Sequence, residues 1–103
     1  MMREAFVFNH GVYAGRFIEQ DDGGYAFIYD EAYQGSPISL TMPVIQKQFF
    51  FDAFPAFFDG VLPEGVMLEA LLKSAKLDRS DYFGQLVQVG HDLVGSVTVE
   101  SNK

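Results

Sequence analysis

The apolar pattern of this chain changes period near Pro43, and that switch constrains the fold more than any other feature. Residues 4–42 read as strands separated by turn residues, and beyond them apolar side chains recur at three and four positions, as on one helix face. Strands, then a helical middle, then a returning strand predict an α+β architecture: a small antiparallel sheet packed with about three helices.

Residues 5–8 predict a first strand. Asn9-His10-Gly11 turns the chain, because Asn and Gly tolerate positive φ. Residues 12–19 form the return strand, with Val12, Ala14, Arg16 and Ile18 on one face and Tyr13, Phe17 and Glu19 on the other. Asp21-Asp22-Gly23-Gly24 is the strongest turn signal. Residues 25–30 are nearly all apolar and predict a central strand covered on both faces. Residues 37–42 alternate apolar and hydroxyl side chains between Pro37 and Pro43, which places them as a strand at a sheet edge.

Phe50, Phe54, Phe57 and Phe58 have helical spacing, with Pro55 in the first turn and Gly60 and Pro63 as the stop. Residues 64–76 predict the best helix. Val66, Leu68, Leu71, Leu72 and Ala75 make its stripe, and Glu64 and Glu69 precede Lys73 and Lys76 in the order the helix dipole favours. Ser80 is placed to cap a third helix through Val89, with Tyr82, Phe83, Leu86 and Val87 buried. Residues 94–100 predict a last strand, Val97 and Val99 sharing a face.

A chain of 103 residues is read as one domain, 1–103. Its 49% apolar content excludes disorder as the default. Fourteen acids against seven bases give a net charge of −7, which repels a phosphate backbone and argues against direct nucleic-acid binding. The absence of Cys removes disulfides, thiolate metal sites and Cys nucleophiles, and it fits a reducing cytosol. Met1-Met2-Arg3-Glu4 lacks the basic start of a signal peptide, and no apolar run approaches a membrane span. A soluble, cytoplasmic protein with no membrane contact is expected.

Reactive constellations are hard to find. His10 and His91 both sit in predicted turns without a second His nearby, so no metal site is expected. Asp21-Asp22 and Asp30-Glu31 read as solvated strand ends. Gly90-His91-Asp92-Leu93-Val94-Gly95-Ser96 has the outline of a P-loop but lacks its Lys and precedes a strand. Neither a nucleophile elbow nor a kinase motif set is present. The expectation is a protein that is not an enzyme and takes no cofactor.

The segment 49–66 stands apart. It holds six Phe in the ten positions 49–58, more rings than one helix face can bury, so part of it is expected to form a surface patch of the kind that marks a partner site.

Four elements carry a family resemblance: Pro37-Ile38-Ser39-Leu40-Thr41-Met42-Pro43, Phe57-Phe58-Asp59-Gly60-Val61-Leu62-Pro63-Glu64-Gly65, Tyr82-Phe83-Gly84-Gln85-Leu86, and Gly90-His91-Asp92-Leu93-Val94-Gly95-Ser96-Val97. In order and spacing they resemble the N-terminal subdomain of HipA-type serine/threonine kinase toxins. The kinase core that follows in such toxins is missing here. In this respect the chain is similar to the small HipS component of three-gene HipBST toxin–antitoxin systems, where the kinase, HipT, is a separate polypeptide and a helix-turn-helix protein, HipB, binds DNA. The resemblance implies a non-catalytic antitoxin that binds and neutralises a HipT-like kinase. Two other readings stay open: a subunit that completes a split kinase, and a small-ligand or structural module.

On the antitoxin reading the expected partner-binding residues are Phe57, Phe58, Asp59, Val61, Leu62, Pro63, Glu64 and Val66. Pro63 stiffens the loop so that docking costs little entropy. Leu62 and Val66 act as apolar anchors while Glu64 meets basic groups of the kinase.

Overall fold

Each early strand is closed by residues that accept positive φ, so the start of the chain folds back on itself twice. In the computed structural model, which describes residues 3–93 and 95–101, β1 (Arg3–Asn9) turns at His10 (φ 51°) and Gly11 (φ 79°) into β2 (Val12–Glu19). Two consecutive positive-φ residues match the twist of a tight hairpin. A second turn, with Gly23 at φ 90° and the Gly24 amide donating to Asp22 Oδ1 at 2.9 Å, leads to β3 (Tyr25–Tyr29). The remaining elements are β4 (Gln48–Phe51), α1 (Ala56–Asp59), α2 (Gly65–Ala75), α3 (Tyr82–Val89) and β5 (Val97–Ser101). The five strands form one antiparallel sheet in the order β4-β3-β2-β1-β5, so the last strand returns beside the first. The α+β architecture expected from the pattern is the observed one.

One face of the sheet builds the core. Phe17 is fully buried, and its ring stacks on Phe58 of α1 at 4.4 Å and on Phe83 of α3 at 5.5 Å. Ala5, Val7, Phe27, Tyr29, Val97 and Val99 join them. The register pairs Glu4, Ile18, Ala26 and Phe50 across the other face, and none of these belongs to the core cluster. β3 is interior in strand order and faces the core cluster through Tyr25, Phe27 and Tyr29; on its other face Ala26 is buried and Ile28 half-buried, so the expected cover on both faces holds at Ala26 and is incomplete at Ile28.

Four further sequence expectations are corrected. In β2 the strict alternation fails because the register shifts between Val7 and Phe8, pairing Val7 with Gly15 and Phe8 with Tyr13. The extra residue, Ala14, is a bulge that puts Tyr13 on the side of Phe6 and Phe8, whose rings lie 5.7 Å away. Residues 37–42 are not a strand. Ile38 and Met42 are buried, but Leu40, which a strand would put on the same face, is 97% exposed. The Tyr29 hydroxyl donates to the Met42 carbonyl at 2.6 Å and accepts from the Ile38 amide at 3.0 Å, while Ser39 Oγ accepts from the Thr41 amide. These side-chain bonds take up backbone groups that a sheet ladder would need.

Phe50 does not begin a helix. Phe49 and Phe51 turn inward and Phe50 outward in β4, because the open edge of β3 offers backbone partners and aromatic side chains suit a pleated edge. Helix formation waits for Ala56, after Pro55. The third helix is capped by Asp81, whose Oδ1 accepts from the Gly84 amide at 3.0 Å, rather than by Ser80; Gln85 is buried, and Tyr82 is 42% exposed. Val97 and Val99 do point inward together, as expected, while Val94 lies outside the described residues.

Asp81 also ties the sheet to α3. Arg3 donates to Glu19 Oε1 at 2.6 Å and to Asp81 Oδ1 at 2.8 Å, and its guanidinium sits 5.0 Å from the centre of the Phe83 ring. The bond from Arg3 holds the Asp81 carboxyl below the usual carboxylate range. A depressed carboxyl stabilises the fold above its unfolded pKa of about 4, and the contribution is lost as pH falls through the lower folded value. Replacing Arg3→Met is expected to cost about 1 kcal/mol at pH 7, the upper end for partly exposed pairs, and to lower Tm by roughly 4–8 °C. Melting curves at falling pH check this: the gap between variant and parent narrows once Asp81 is protonated in both.

Candidate functional site

The candidate surface is built where α1 hands over to α2. Pro55 cannot continue a strand, and α1 follows it for only four residues. Backbone bonds then tighten the chain: the Val61 amide donates to Phe58 O and the Leu62 amide to Asp59 O, each at 3.2 Å. Pro63 and Glu64 are extended or constrained positions, and Gly65 opens α2 with φ 58°, a region that penalises any side chain. The loop is thus a stiff corner.

Phe58 is fully buried, so it supports the corner from beneath and offers no surface to a partner. Phe57, Val61, Leu62 and Pro63 are half-buried, whereas Asp59 and Glu64 are exposed. Asp59, Leu62, Pro63 and Glu64 line one groove of about 230 Å³ together with Leu68, Arg79, Tyr82 and Gln85. Val66 is 83% exposed and Met67 70% exposed on the first turn of α2.

The whole of α2 is unusual in burying no residue. The stripe read from its sequence exists, since Leu68, Leu71, Leu72 and Ala75 are half-buried, but Val66 projects away from it into solvent. Met67, Tyr82, Arg79 and Gln85 were not legible as site residues. The three last belong to the segment at the start of α3, which only the tertiary fold brings against the corner, and Met67 falls outside the apolar stripe.

The other candidate chemistries dissolve into turns. Asp30 Oδ2 accepts from the Ala32 amide at 3.2 Å, and Asp22 caps its own turn. His10 and His91 are exposed turn residues. Gly90 ends α3, so the Gly90–Ser96 stretch follows a helix and enters a strand, the reverse of a phosphate-binding loop. Among the described residues no three His, Asp or Glu side chains gather as a metal site, and no helix is long and apolar enough to cross a membrane.

Comparison with known proteins bears on the family and the fold. A family model described as the HipA N-terminal domain matches residues 5–100. An uncharacterized protein of Haemophilus influenzae is 31% identical over 103 residues, covering 100% of this chain and 96% of its own length. A solved structure titled N-terminal domain of HipA toxin superposes with a TM-score of 0.78 at 29% identity, over 98% of this chain and 93% of that one. The matched stretch runs from β1 to β5 and includes the α1–α2 corner, and the chain belongs to the HipA N-terminal domain family.

Proposed function

We propose that this chain is a non-catalytic antitoxin that docks on a separately encoded HipA-like serine/threonine kinase and neutralises it in the cytoplasm. The observation that carries the proposal is the exposed apolar step at the α1–α2 corner. Val66 and Met67 stand in solvent on the first turn of a helix with no buried residue, which follows directly on the corner that carries Leu62, Pro63 and the exposed carboxylates of Asp59 and Glu64. A free-standing domain gains nothing from holding such side chains outside its core, whereas a partner surface that covers them does. The exposed carboxylates of Asp59 and Glu64, on the adjoining groove, suit a basic cleft. The net charge of −7 leaves DNA contact to another protein, of the helix-turn-helix kind, within a ternary complex.

Val66→Asp is the sharpest test, because the position is so exposed that the fold is indifferent to it; an acid in the first turn of α2 even favours the helix dipole. The variant is expected to keep its Tm and to lose at least about 2 kcal/mol of binding to the kinase, roughly thirtyfold in Kd by calorimetry. Leu62→Asp should act in the same direction. Phosphate transfer by the kinase, with and without this chain, reads the sign: added chain suppresses transfer. Undiminished affinity in both variants places the contact elsewhere, and a rise in transfer makes the chain a completing subunit.

A further inference from the structure

The groove beside the α1–α2 corner has a floor that the docking proposal does not use. Gln85 is only 2% exposed and lines that groove. Its Nε2 donates to the carbonyls of Asp78 at 3.2 Å and Arg79 at 3.0 Å. Two acceptors on one side settle which end of the amide is nitrogen, so Oε1 is turned away from them. No described donor meets that oxygen. No described side-chain N or O atom is both fully buried and unpaired, so Oε1 is not sealed off, and the groove that Gln85 lines is the opening we assign to it. An acceptor at the bottom of a cleft is a demand for a donor.

The walls narrow the choice. Asp59 and Glu64 line the same groove without an ion-pair partner among the described residues, while Arg79 is held by Glu69 at 2.7 Å. An anion would be repelled. An aliphatic side chain would bury Gln85 Oε1 without a bond. The exposed part of the Tyr82 ring, steadied by Phe54 at 5.6 Å, adds a flat apolar surface. A volume of about 230 Å³ falls below the ~300–1,000 Å³ of a typical small-molecule pocket and fits a single side chain. A planar group with several donors, a positive charge and a stackable face answers all of these features, and the guanidinium is that group.

We infer that the groove between Asp59, Glu64, Tyr82 and Gln85 receives one arginine side chain of the docked protein partner. The guanidinium donates to Gln85 Oε1, lies against Tyr82 and is neutralised by the two carboxylates. This rests on the docking of a partner at the α1–α2 corner, and it adds what that partner must carry there.

The test separates the groove from the docking. The chain labelled with ¹⁵N is titrated with N-acetyl-arginine methylamide and, in parallel, with the citrulline analogue, which keeps the shape and loses the charge. Saturable shifts of the Gln85 side-chain amide and the Tyr82 backbone amide with arginine alone, abolished in the Asp59→Asn/Glu64→Gln double variant, are expected. Shifts that never saturate, or that citrulline reproduces, overturn the inference. With the kinase partner, the same double variant is expected to weaken binding about tenfold and to flatten its salt dependence. If arginine fails to bind while Val66→Asp still weakens the complex, the groove assignment falls and the docking surface stands. If arginine binds and the double variant leaves the complex unchanged, the partner brings no arginine there and the inference falls.

Discussion

Phe58→Ala is expected to remove about 3–5 kcal/mol of stability, a large part of the ~5–15 kcal/mol available to a small domain. The ring is fully buried, stacked on Phe17 at 4.4 Å and packed near Phe27 at 6.4 Å and Phe57 at 5.2 Å. Sheet and α1 meet at this ring, so truncation leaves a cavity that the strands, tied by their ladders, cannot close. α1 has four residues and no side-chain cap, and a helix that short has no stability of its own. Its position therefore depends on Phe58, and so do Val61 and Leu62, whose amides bond back to Phe58 and Asp59. Thermal melts should show a fall of at least roughly 12 °C, with Phe58→Leu recovering part of it. A loss below about 1 kcal/mol would mean that α1 is not docked on the sheet.

The second large effect is expected at Gly90→Ala, with the sign opposite to helix propensity. Gly90 has φ −58° and ψ −23°, so alanine adopts its conformation without strain and would be worth up to about 1 kcal/mol in a free helix end. Here a Cβ would overlap the Val99 carbonyl oxygen, at the point where the Val99 amide donates to the Gly90 carbonyl at 3.0 Å. The obstacle is backbone, which cannot swing aside, so α3 and β5 must separate. A loss of about 3 kcal/mol is expected, the upper range for overpacking. Denaturant titration decides it: an increase in stability would show that α3 does not pack on β5 this closely.

Turn chemistry made much of the sheet readable in advance. Asn9-His10-Gly11 and Asp21-Asp22-Gly23-Gly24 bend the chain where local φ preferences require it, so β1, β2 and β3 were legible to within a residue or two. α2 was legible as well, because residues 64–76 combine a stripe with a matching charge order. The family resemblance singled out Asp59, Leu62, Pro63 and Glu64, and the fold brings these four to one groove.

Where the residues misled, partners distant in sequence decided the outcome. Phe50, Phe54, Phe57 and Phe58 have helical spacing, yet the unpaired edge of β3 took Gln48–Phe51 as a strand and left only Ala56–Asp59 to the helix. Residues 37–42 have strand alternation, yet the hydroxyl of Tyr29 captured their backbone from the interior.

Local chemistry alone thus determined the α+β class, the first three strands and the best helix, since each depends on neighbours within a few residues. Exposure and pairing were decided by the tertiary structure. The solvent position of Val66, the burial of Phe58 and the place of the buried Gln85 in the wall of the groove all depend on which surfaces α2 and α3 find, and contacts between residues far apart in the chain leave no periodicity to read.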